Sequence, residues 1–355
     1  MSRSLPFLLT LGFALAACAA DESDTVAPAS TFPPTVTLDP VYEVLVEQDF
    51  VYAEGLAHDA TSTAPSTIPL LLDVYAPDNQ ETDRPMFVFI HGGGFMGGRK
   101  DKPEIEEMGA YFASRGWVFA SIDYRTTEEL GTLTDPSRDA VVAFYQGIVP
   151  AEWVEHALDA AEAGLVTPEQ LKQSLALYTA QRDAKAAVRW MVENGDTHGA
   201  NPDFLAVGGA SAGAITAVTL GVTDLENFRD EIPVADDPTR STTNPDAGYA
   251  VRGVVSFWGG TIKLDQFEAV YGVDPYDDGD PELFLAHGTD DPNPSTPYSE
   301  SVELQGIYDG LGIYSELATL EGEGHGAWGA EVDGKGLFEL SFDFLVDRQG
   351  LTVLE

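Results

Sequence analysis

The stretch VGGASAGAIT, residues 207–216, decides how the rest of the sequence is interpreted. It places Ser211 between Gly209 and Gly213, which matches the pattern G-x-S-x-G at the junction of a predicted strand and a predicted helix. In that setting a tight turn exposes the serine hydroxyl, and the following helix points its free N–H groups and positive dipole end at the same spot. A serine at a helix start is also a common capping or packing residue. The stretch therefore identifies a candidate nucleophile that needs partners elsewhere in the sequence.

A second glycine-rich segment, HGGGF at residues 91–95, follows an apolar run well before the serine. Glycines let the backbone approach a developing oxyanion closely, and their N–H groups point into a site unhindered. We predict that the N–H groups of Gly93, Gly94 and Ala212 form an oxyanion hole. The alternative is a phosphate-binding loop, but the segment has neither the G-x-x-x-x-G-K-[ST] pattern nor dinucleotide-binding spacing.

A general base and its acidic partner should follow the serine in the order serine, acid, histidine. Of the six histidines, only His287 and His325 come after Ser211. The segment EGEGHGAW, residues 321–328, flanks His325 with glycines, so this histidine is the predicted base. His287 ends a predicted strand, where it is expected to shape the acid-bearing loop.

The acid has two candidates in HGTDD, residues 287–291, namely Asp290 and Asp291. Both come at the carboxyl end of a predicted strand. Asp291 is favoured because loops of the form HGTxD usually deliver their carboxylate from the fifth position. That carboxylate would hold the imidazole in the correct tautomer and stabilise the imidazolium. The other aspartate would then cap the loop.

Apolar runs alternate with helical patterns along the chain, which predicts a mostly parallel sheet with helices on both faces, that is, an α/β fold. The predicted strands lie within residues 41–55, 68–77, 84–95, 117–125, 204–211, 251–260, 282–291 and 314–322. The predicted helices lie at 104–116, 183–195, 211–222, about 298–311 and 336–347.

One segment is longer than this alternation requires. Residues 126–182 have helical spacing throughout, with a Thr-Pro helix start at Thr167. We predict a helical insertion over the strand ends that serves as a lid or a substrate wall. The alternative is a cap that makes no contact with substrate.

The amino terminus predicts export and lipid anchoring. Residues 1–17 combine Arg3 with an apolar run that is shorter than the roughly 20 residues a membrane-spanning helix needs, which is typical of a signal peptide. The ending LAAC resembles a bacterial lipoprotein signal, so we predict that Cys18 is lipidated and that residues 18–40, rich in Pro, Ser and Thr, form a disordered tether. The protein would be an exported, membrane-anchored lipoprotein, located on the outer membrane or cell surface if the host is Gram-negative. The alternative is an ordinary secretory signal cleaved near Ala20, which leaves a soluble secreted or periplasmic protein.

The composition restricts the class of partner. Fifty-nine acidic residues face 18 basic ones, a net charge of −41, and such a surface repels nucleic acids and anionic headgroups. The single cysteine, Cys18, excludes an intramolecular disulfide. We therefore expect a small-molecule substrate, no nucleic-acid partner, and membrane contact through the lipid anchor only. The sequence does not specify an oligomeric state.

The ordered set of segments between about Ile68 and Phe344 resembles the α/β-hydrolases, and most of all the bacterial carboxylesterases of the hormone-sensitive-lipase-like and feruloyl-esterase-like groups. The matching segments are HGGGF at 91–95, DYR at 123–125, DAKAAVRWM at 183–191, GGASAG at 208–213, HGTDD at 287–291 and GHG at 324–326. The resemblance implies that residues 41–355 form an α/β-hydrolase domain, that no metal or organic cofactor is needed, and that Asp123 and Arg125 are structural. Ala210, Ala214 and the long insertion depart from the usual pattern and affect the substrate assignment.

These elements together predict a serine hydrolase that cleaves carboxylic esters through an acyl-enzyme intermediate on Ser211, Asp291 and His325. Amide, formamide or peptide hydrolysis on the same three residues is the alternative within enzymes. A non-catalytic binding module on this fold is a third interpretation, but it would be marked by loss of the serine, the histidine or the glycine loop, and all three are present.

Overall fold

The structure is a computed structural model that describes residues 32–58, 64–131 and 137–354. The predicted signal peptide, Cys18 and most of the predicted tether lie outside the described residues. The strands, in chain order, are β1 (Thr35–Thr37), β2 (Val44–Ala57), β3 (Ser66–Pro77), β4 (Arg84–Ile90), β5 (Val118–Ile122), β6 (Ala200–Ala210), β7 (Val251–Phe257), β8 (Glu282–Gly288), β9 (Ser315–Leu320), β10 (Glu331–Val332), β11 (Lys335–Gly336) and β12 (Thr352–Leu354). The helices are α1 (Pro103–Ala113), α2 (Arg138–Phe144), α3 (Ala151–Glu162), α4 (Pro168–Asn194), α5 (Ala212–Val222), α6 (Ile262–Tyr271), α7 (Tyr298–Leu311) and α8 (Leu337–Gln349).

A central sheet of eight strands organises the molecule, in the order β2-β3-β5-β4-β6-β7-β8-β9. Strand β3 runs antiparallel to both of its neighbours, and every pair from β5 to β9 is parallel. The predicted mostly parallel α/β arrangement is therefore confirmed. Because the carboxyl ends of parallel strands meet at one edge, the loops after β4, β6 and β8 open on the same side of the sheet.

Buried apolar side chains on both faces hold the sheet. In β4, Phe87 and Phe89 point to one face and pack with Phe112 and Phe119, whereas Val88 and its alternate neighbours point to the other. All seven residues of β4 are buried. Each fully buried phenylalanine stabilises the fold by about 1.5–3 kcal/mol. The strand carrying the glycine loop is thus among the most firmly packed elements.

Helix α4 is one continuous helix of 27 residues. Thr167 caps it with a reciprocal capping box, and neither Gly nor Pro interrupts it between Pro168 and Gly195. The predicted insertion boundary at residue 182 falls inside this helix, so the insertion and the predicted helix 183–195 are not separate elements. A buried ion pair between Arg125 and Asp183, 2.6 Å from Nη2 to Oδ1, fixes the middle of the helix to the strand region.

The predicted disordered tether, residues 18–40, is too long at its C-terminal end, because part of it is folded. Strand β1 pairs in parallel with β12, and Val36 within it is fully buried. Residues 35–37, predicted to belong to a disordered tether that ends at residue 40, are thus part of the folded unit. Their burial against the apolar cluster that includes Trp117 outweighs the polar composition of the segment around them.

Helix α6 was not predicted from the sequence. It starts after Gly259 and Gly260 and ends at Gly272, which takes the left-handed conformation common at helix ends. The helix is short, and its apolar face is broken by charged residues, so periodicity alone did not mark it. None of the helices in the described ranges has the length and apolar composition needed to cross a bilayer.

Candidate active site

Ser211 lies at the turn where strand β6 ends and helix α5 begins. Its backbone has φ 55° and ψ −118°, a conformation that few L-residues adopt. The flanking glycines make the turn feasible, because a Cβ at Gly213 would lie 1.9 Å from the carbonyl oxygen of Ile90. The Ser211 N–H donates to the carbonyl of Phe257 at 2.8 Å. The turn therefore holds the serine in a strained, fixed position.

A chain of hydrogen bonds links Ser211 to His325 and Asp291. His325 Nε2 lies 2.9 Å from the Ser211 hydroxyl oxygen, and His325 Nδ1 lies 2.7 Å from Asp291 Oδ2. In the neutral tautomer that suits both contacts, Nδ1–H donates to the carboxylate and Nε2 accepts from the serine hydroxyl. The three predicted residues, which come from three separate loops, are thus brought together.

The aspartate that reaches the histidine is Asp291. Its side chain is fully buried, and its Oδ1 accepts the N–H of Asn293 at 2.8 Å. Asp290 is exposed and contributes its own N–H to the carbonyl of Glu323. Of the two candidates, only Asp291 contacts His325 in this arrangement.

A second imidazole also contacts Asp291. His287 is fully buried, its Nε2 lies 2.9 Å from Asp291 Oδ2, and its Nδ1 lies 2.7 Å from the hydroxyl of Ser301. Burial lowers the pKa of His287, which favours the neutral ring, so Nε2–H donates to the carboxylate and Ser301 donates to Nδ1. The sequence placed His287 in the acid-bearing loop but did not predict this bond or the role of Ser301, because α7 lies outside the local pattern.

The predicted oxyanion donors differ in their access to the serine. Gly94 (φ 62°) and Ala212 line the cavity that contains Ser211, whereas Gly93 (φ 149°) is not among its lining residues. Ala212 is the first residue of α5, where N–H groups have no partner within the helix. In the described part of the chain, no hydrogen bond uses the N–H of Gly94 or Gly93. These donors are available to an oxygen atom placed near Ser211.

His91 supports the glycine loop rather than the chemistry. Its ring is buried and stacks on Tyr124 at 4.3 Å between centroids. Burial lowers the pKa of His91 to about 4, so the ring is neutral at physiological pH. Lys102 Nζ donates to the carbonyl of Gly92 at 2.9 Å, which fixes the adjacent peptide. Asp123 likewise accepts the N–H of Lys100 at 2.7 Å, in line with a structural role.

The Ser211 cavity has a volume of about 480 Å³. The insertion helices α3 and α4 and the turn between them supply one wall, helix α6 supplies another, and the loops after β4, β6 and β8 complete it. From the insertion region, the lining residues are His156, Ala157, Ala160, Val166, Gln170, Gln173, Ser174 and Leu177. Of the aromatic and sulfur side chains near the motifs, Phe95 and Met96 line the cavity, whereas Trp258 packs edge-on against His325 and Trp328.

No lysine or arginine of the described residues lines this cavity. Asp265 is its acidic residue, and burial raises the pKa of that carboxyl. Lys263, two residues earlier on α6, is fully buried instead and donates to the Thr216 hydroxyl at 2.8 Å, which in turn donates to the carbonyl of Ala212 at 2.9 Å. Burial lowers the pKa of Lys263 well below its usual value. No pattern in the sequence singles out this lysine, because helix α6 is not predicted from it.

Two protein-family models match this chain, one over an earlier part and one over a later part of the sequence. A family model described as the prolyl oligopeptidase family matches residues 172–351, which include Ser211, Asp291 and His325. A model described as BD-FAE matches residues 72–136, which include the glycine loop.

Solved structures resemble the chain over most of its length. A truncated form of a carbohydrate esterase from gut microbiota is 17% identical with a TM-score of 0.52, covering 89% of this chain and 99% of that one. Esterase 2 of Thermogutta terrifontis, phosphonylated by cyclosarin, is 21% identical with a TM-score of 0.53, covering 87% and 94%. The butyrate-bound form of the same Planctomycetes enzyme is 21% identical with a TM-score of 0.52, with the same coverage. At these identities the likeness is one of fold.

Proposed function

Because the chain belongs to the prolyl oligopeptidase family and has the α/β-hydrolase fold expected from its motifs, we propose that it is a serine hydrolase that cleaves small carboxylic esters. The observation that carries the proposal is the hydrogen-bonded chain from Ser211 through His325 to Asp291, set beside free backbone donors at one cavity. A nucleophile, a base oriented by a carboxylate, and oxyanion donors are the three parts that acyl transfer requires.

In the proposed acylation step, the Ser211 hydroxyl attacks the ester carbonyl carbon while His325 Nε2 accepts its proton. The carbonyl oxygen becomes an oxyanion that accepts the N–H groups of Gly94 and Ala212, with Gly93 adjacent. The intermediate then expels the alcohol, which takes the proton from His325. Asp291 stays ionised and stabilises the imidazolium.

Deacylation repeats the same steps with water as the nucleophile. His325 removes a proton from water, the hydroxide attacks the acyl-serine, and the same donors hold the second oxyanion. Collapse releases the carboxylic acid and returns the proton to Ser211. Buried Asp291 keeps one orientation through both steps, because His287 and Asn293 hold its two oxygens.

Esters are preferred to amides as the proposed substrates. The solved neighbours are described as esterases, and the Thermogutta terrifontis enzyme has been seen with butyrate. Peptide or amide hydrolysis on the same residues remains the competing proposal, since the family is named for an oligopeptidase. Neutral substrates suit a cavity whose described lining carries an acidic residue and no lysine or arginine.

The experiment compares p-nitrophenyl butyrate with the matching p-nitroanilide. We expect the wild-type protein to cleave the ester with kcat/KM at least about 100-fold above the anilide, and Ser211→Ala to lose about 10³-fold or more of the ester turnover. Ser295→Ala is the matched control, since Ser295 also lines the cavity but bonds there only through its backbone. Equal turnover in Ser211→Ala, or preferential cleavage of the anilide, would reject the proposal.

For residues 1–40, lipid anchoring through Cys18 is part of the same proposal. The signal-like sequence, the LAAC motif and the lone cysteine support it. Cells expressing the full chain should incorporate labelled palmitate into the protein, and Cys18→Ser should abolish the label. A native precursor that stays unlabelled and is secreted in soluble form would favour the ordinary secretory signal.

A further inference from the structure

One side chain of the insertion reaches the glycine loop. Gln173, on helix α4, is half-buried, lines the Ser211 cavity, and donates from Nε2 to the carbonyl oxygen of Gly94 at 2.8 Å. Gln170 and Ser174 line the same cavity from the same helix, but their side chains bond to Thr167 and Gln266 instead. Among the described side chains of α4 that line the cavity, Gln173 is therefore the one that binds the glycine loop.

Gly94 needs external restraint because glycine has the freest backbone of all residues. Its N–H belongs to the peptide unit whose carbonyl is that of Gly93, and this carbonyl accepts the N–H of Met96 at 3.1 Å. The next peptide unit, on the other side of the Gly94 Cα atom, presents the carbonyl that Gln173 holds. Both peptide planes that adjoin Gly94 are thus fixed, and with them the direction of its N–H.

We propose that Gln173 is a positioning residue that orients the Gly94 N–H toward the oxyanion, which makes the helical insertion part of the catalytic apparatus. This inference rests on the proposed function. Oxyanion donors accelerate the reaction because they are aimed in advance at the position where charge develops. Loss of the Gln173 bond leaves the Gly94 N–H in place but restrained only through the Met96 bond to Gly93, so its direction is less well fixed and the effect falls on kcat more than on KM.

Gln173→Glu gives a test that a merely structural role would not pass. The change preserves size, but an ionised carboxylate accepts hydrogen bonds only and repels the Gly94 carbonyl, whereas the protonated acid can donate to it. With p-nitrophenyl acetate, kcat should fall about tenfold relative to wild type at pH 8, less than the roughly 10²–10³-fold effect of deleting an oxyanion donor, because the donor itself remains. The ratio of variant to wild-type kcat should rise as the pH falls toward about 4.3, the ordinary pKa of a glutamate carboxyl, where the protonated donor form becomes populated.

Other titratable groups near Gln173 are present in both enzymes, so the ratio removes their contribution. These groups are His156 on α3, Asp265 on α6 and His325 in the loop after β9, all of which face the cavity or Ser211. Gln173→Leu, which has no donor at any pH, should show the same loss without recovery. Glu169→Gln is the control, because it makes the reverse exchange at an exposed position of α4 outside the cavity.

The outcomes separate the two proposals. A pH-dependent recovery in Gln173→Glu, with a constant ratio in Gln173→Leu and Glu169→Gln, supports the positioning role. A ratio near one at every pH, or a loss in Gln173→Glu that does not recover, overturns it while ester turnover by the wild-type protein still stands. Absence of ester turnover in the wild-type protein contradicts the proposed function itself and the inference with it.

Discussion

The backbone of Ser211 is strained, and its hydroxyl oxygen lies within hydrogen-bond distance of His325, the candidate base. A residue in this region of φ and ψ costs about 1–3 kcal/mol and persists only where the surrounding structure enforces it. Here the bond from Ser211 N–H to Phe257 and the close contact of Gly213 with strand β4 supply that enforcement. At this scale, the local motif was enough to locate Ser211 as a candidate nucleophile, whereas its candidate partners had to come from other segments.

The acid of the proposed triad gives the sharpest test among single residues. Asp291→Asn removes the charge that orients His325, and the amide can present its N–H₂ group to Nδ1, which favours the wrong tautomer. We expect kcat on p-nitrophenyl butyrate to fall by about 10³–10⁴-fold. Asp290→Asn, one residue earlier and exposed, should stay within about twofold of wild type. A larger loss in Asp290→Asn than in Asp291→Asn would reverse the assignment.

The sequence could order the serine, acid and histidine, but it could not resolve contacts between distant segments. The choice between Asp290 and Asp291 depends on how the loop after β8 folds, and the second imidazole on Asp291 depends on His287 facing Ser301 of α7. Such partners lie on different elements, so no spacing rule connects them.

At the scale of elements, the insertion forms one wall of the Ser211 cavity. Helix α4 presents Gln170, Gln173, Ser174 and Leu177 to the cavity, the spacing of one helical face. That spacing is readable in the sequence, and it is the signal that could have identified Gln173. The sequence could not show that this face of α4 points into the cavity, because that orientation depends on packing against α3 and on the unpredicted helix α6.

Small residues on α3 are expected to set the length of acyl chain that the cavity accepts. Ala160→Leu adds three carbon atoms to a wall of the cavity and should exclude about two methylene groups of a long substrate. At about 0.8 kcal/mol for each buried methylene, kcat/KM for an octanoate ester should fall about 10–20-fold, with little change for an acetate ester.

The control for this change is Ala161→Leu, on the same helix but outside the cavity lining. Measurement of kcat/KM across p-nitrophenyl esters from acetate to octanoate gives the comparison. An equal effect of Ala160→Leu on all chain lengths would show that the alanine does not limit the acyl chain.

At the scale of the whole molecule, the net charge is −41, and this excess of acidic residues brings carboxylates close to one another on the surface. One cluster holds Asp274, Asp277 and Asp280 in the loop before β8, where Asp280 Oδ2 accepts the N–H of Asp277 at 3.2 Å. Burial, with repulsion from Asp277 and Asp274, raises the pKa of Asp280 to about 7. The folded chain thus binds a proton there that the unfolded chain has already released above pH 4.

The stability contributed by Asp280 is fully present below the unfolded pKa and is lost as the pH rises through about 7. Asp280→Asn should therefore raise the Tm at pH 8 by about 2 °C and leave it nearly unchanged at pH 4. Asp278→Asn, exposed and two residues away, makes the same change in charge and should show a smaller difference between the two pH values. Scanning calorimetry of both variants tests this, and a larger gain at pH 4 than at pH 8 would contradict the sign.

The predicted α/β architecture was confirmed at this scale. Buried strands such as β4 and β5 are mostly apolar runs, so the local sequence is enough to identify them as strands. The edge of the fold was less predictable. Strand β1 is short and polar apart from Val36, and its pairing with β12 joins residues more than 300 positions apart. Only the folded chain brings those ends together.

The central claim is that Ser211 forms the acyl-enzyme, and covalent labelling tests it most directly. The protein is treated with diethyl p-nitrophenyl phosphate, and the adduct is located by intact-mass and peptide mass spectrometry. We predict one diethylphosphoryl group per chain on Ser211, no adduct in Ser211→Ala, and much slower labelling in His325→Ala, since the base is lost. A stoichiometric adduct on another residue, or full ester turnover by a protein that takes no label at Ser211, would contradict the claim.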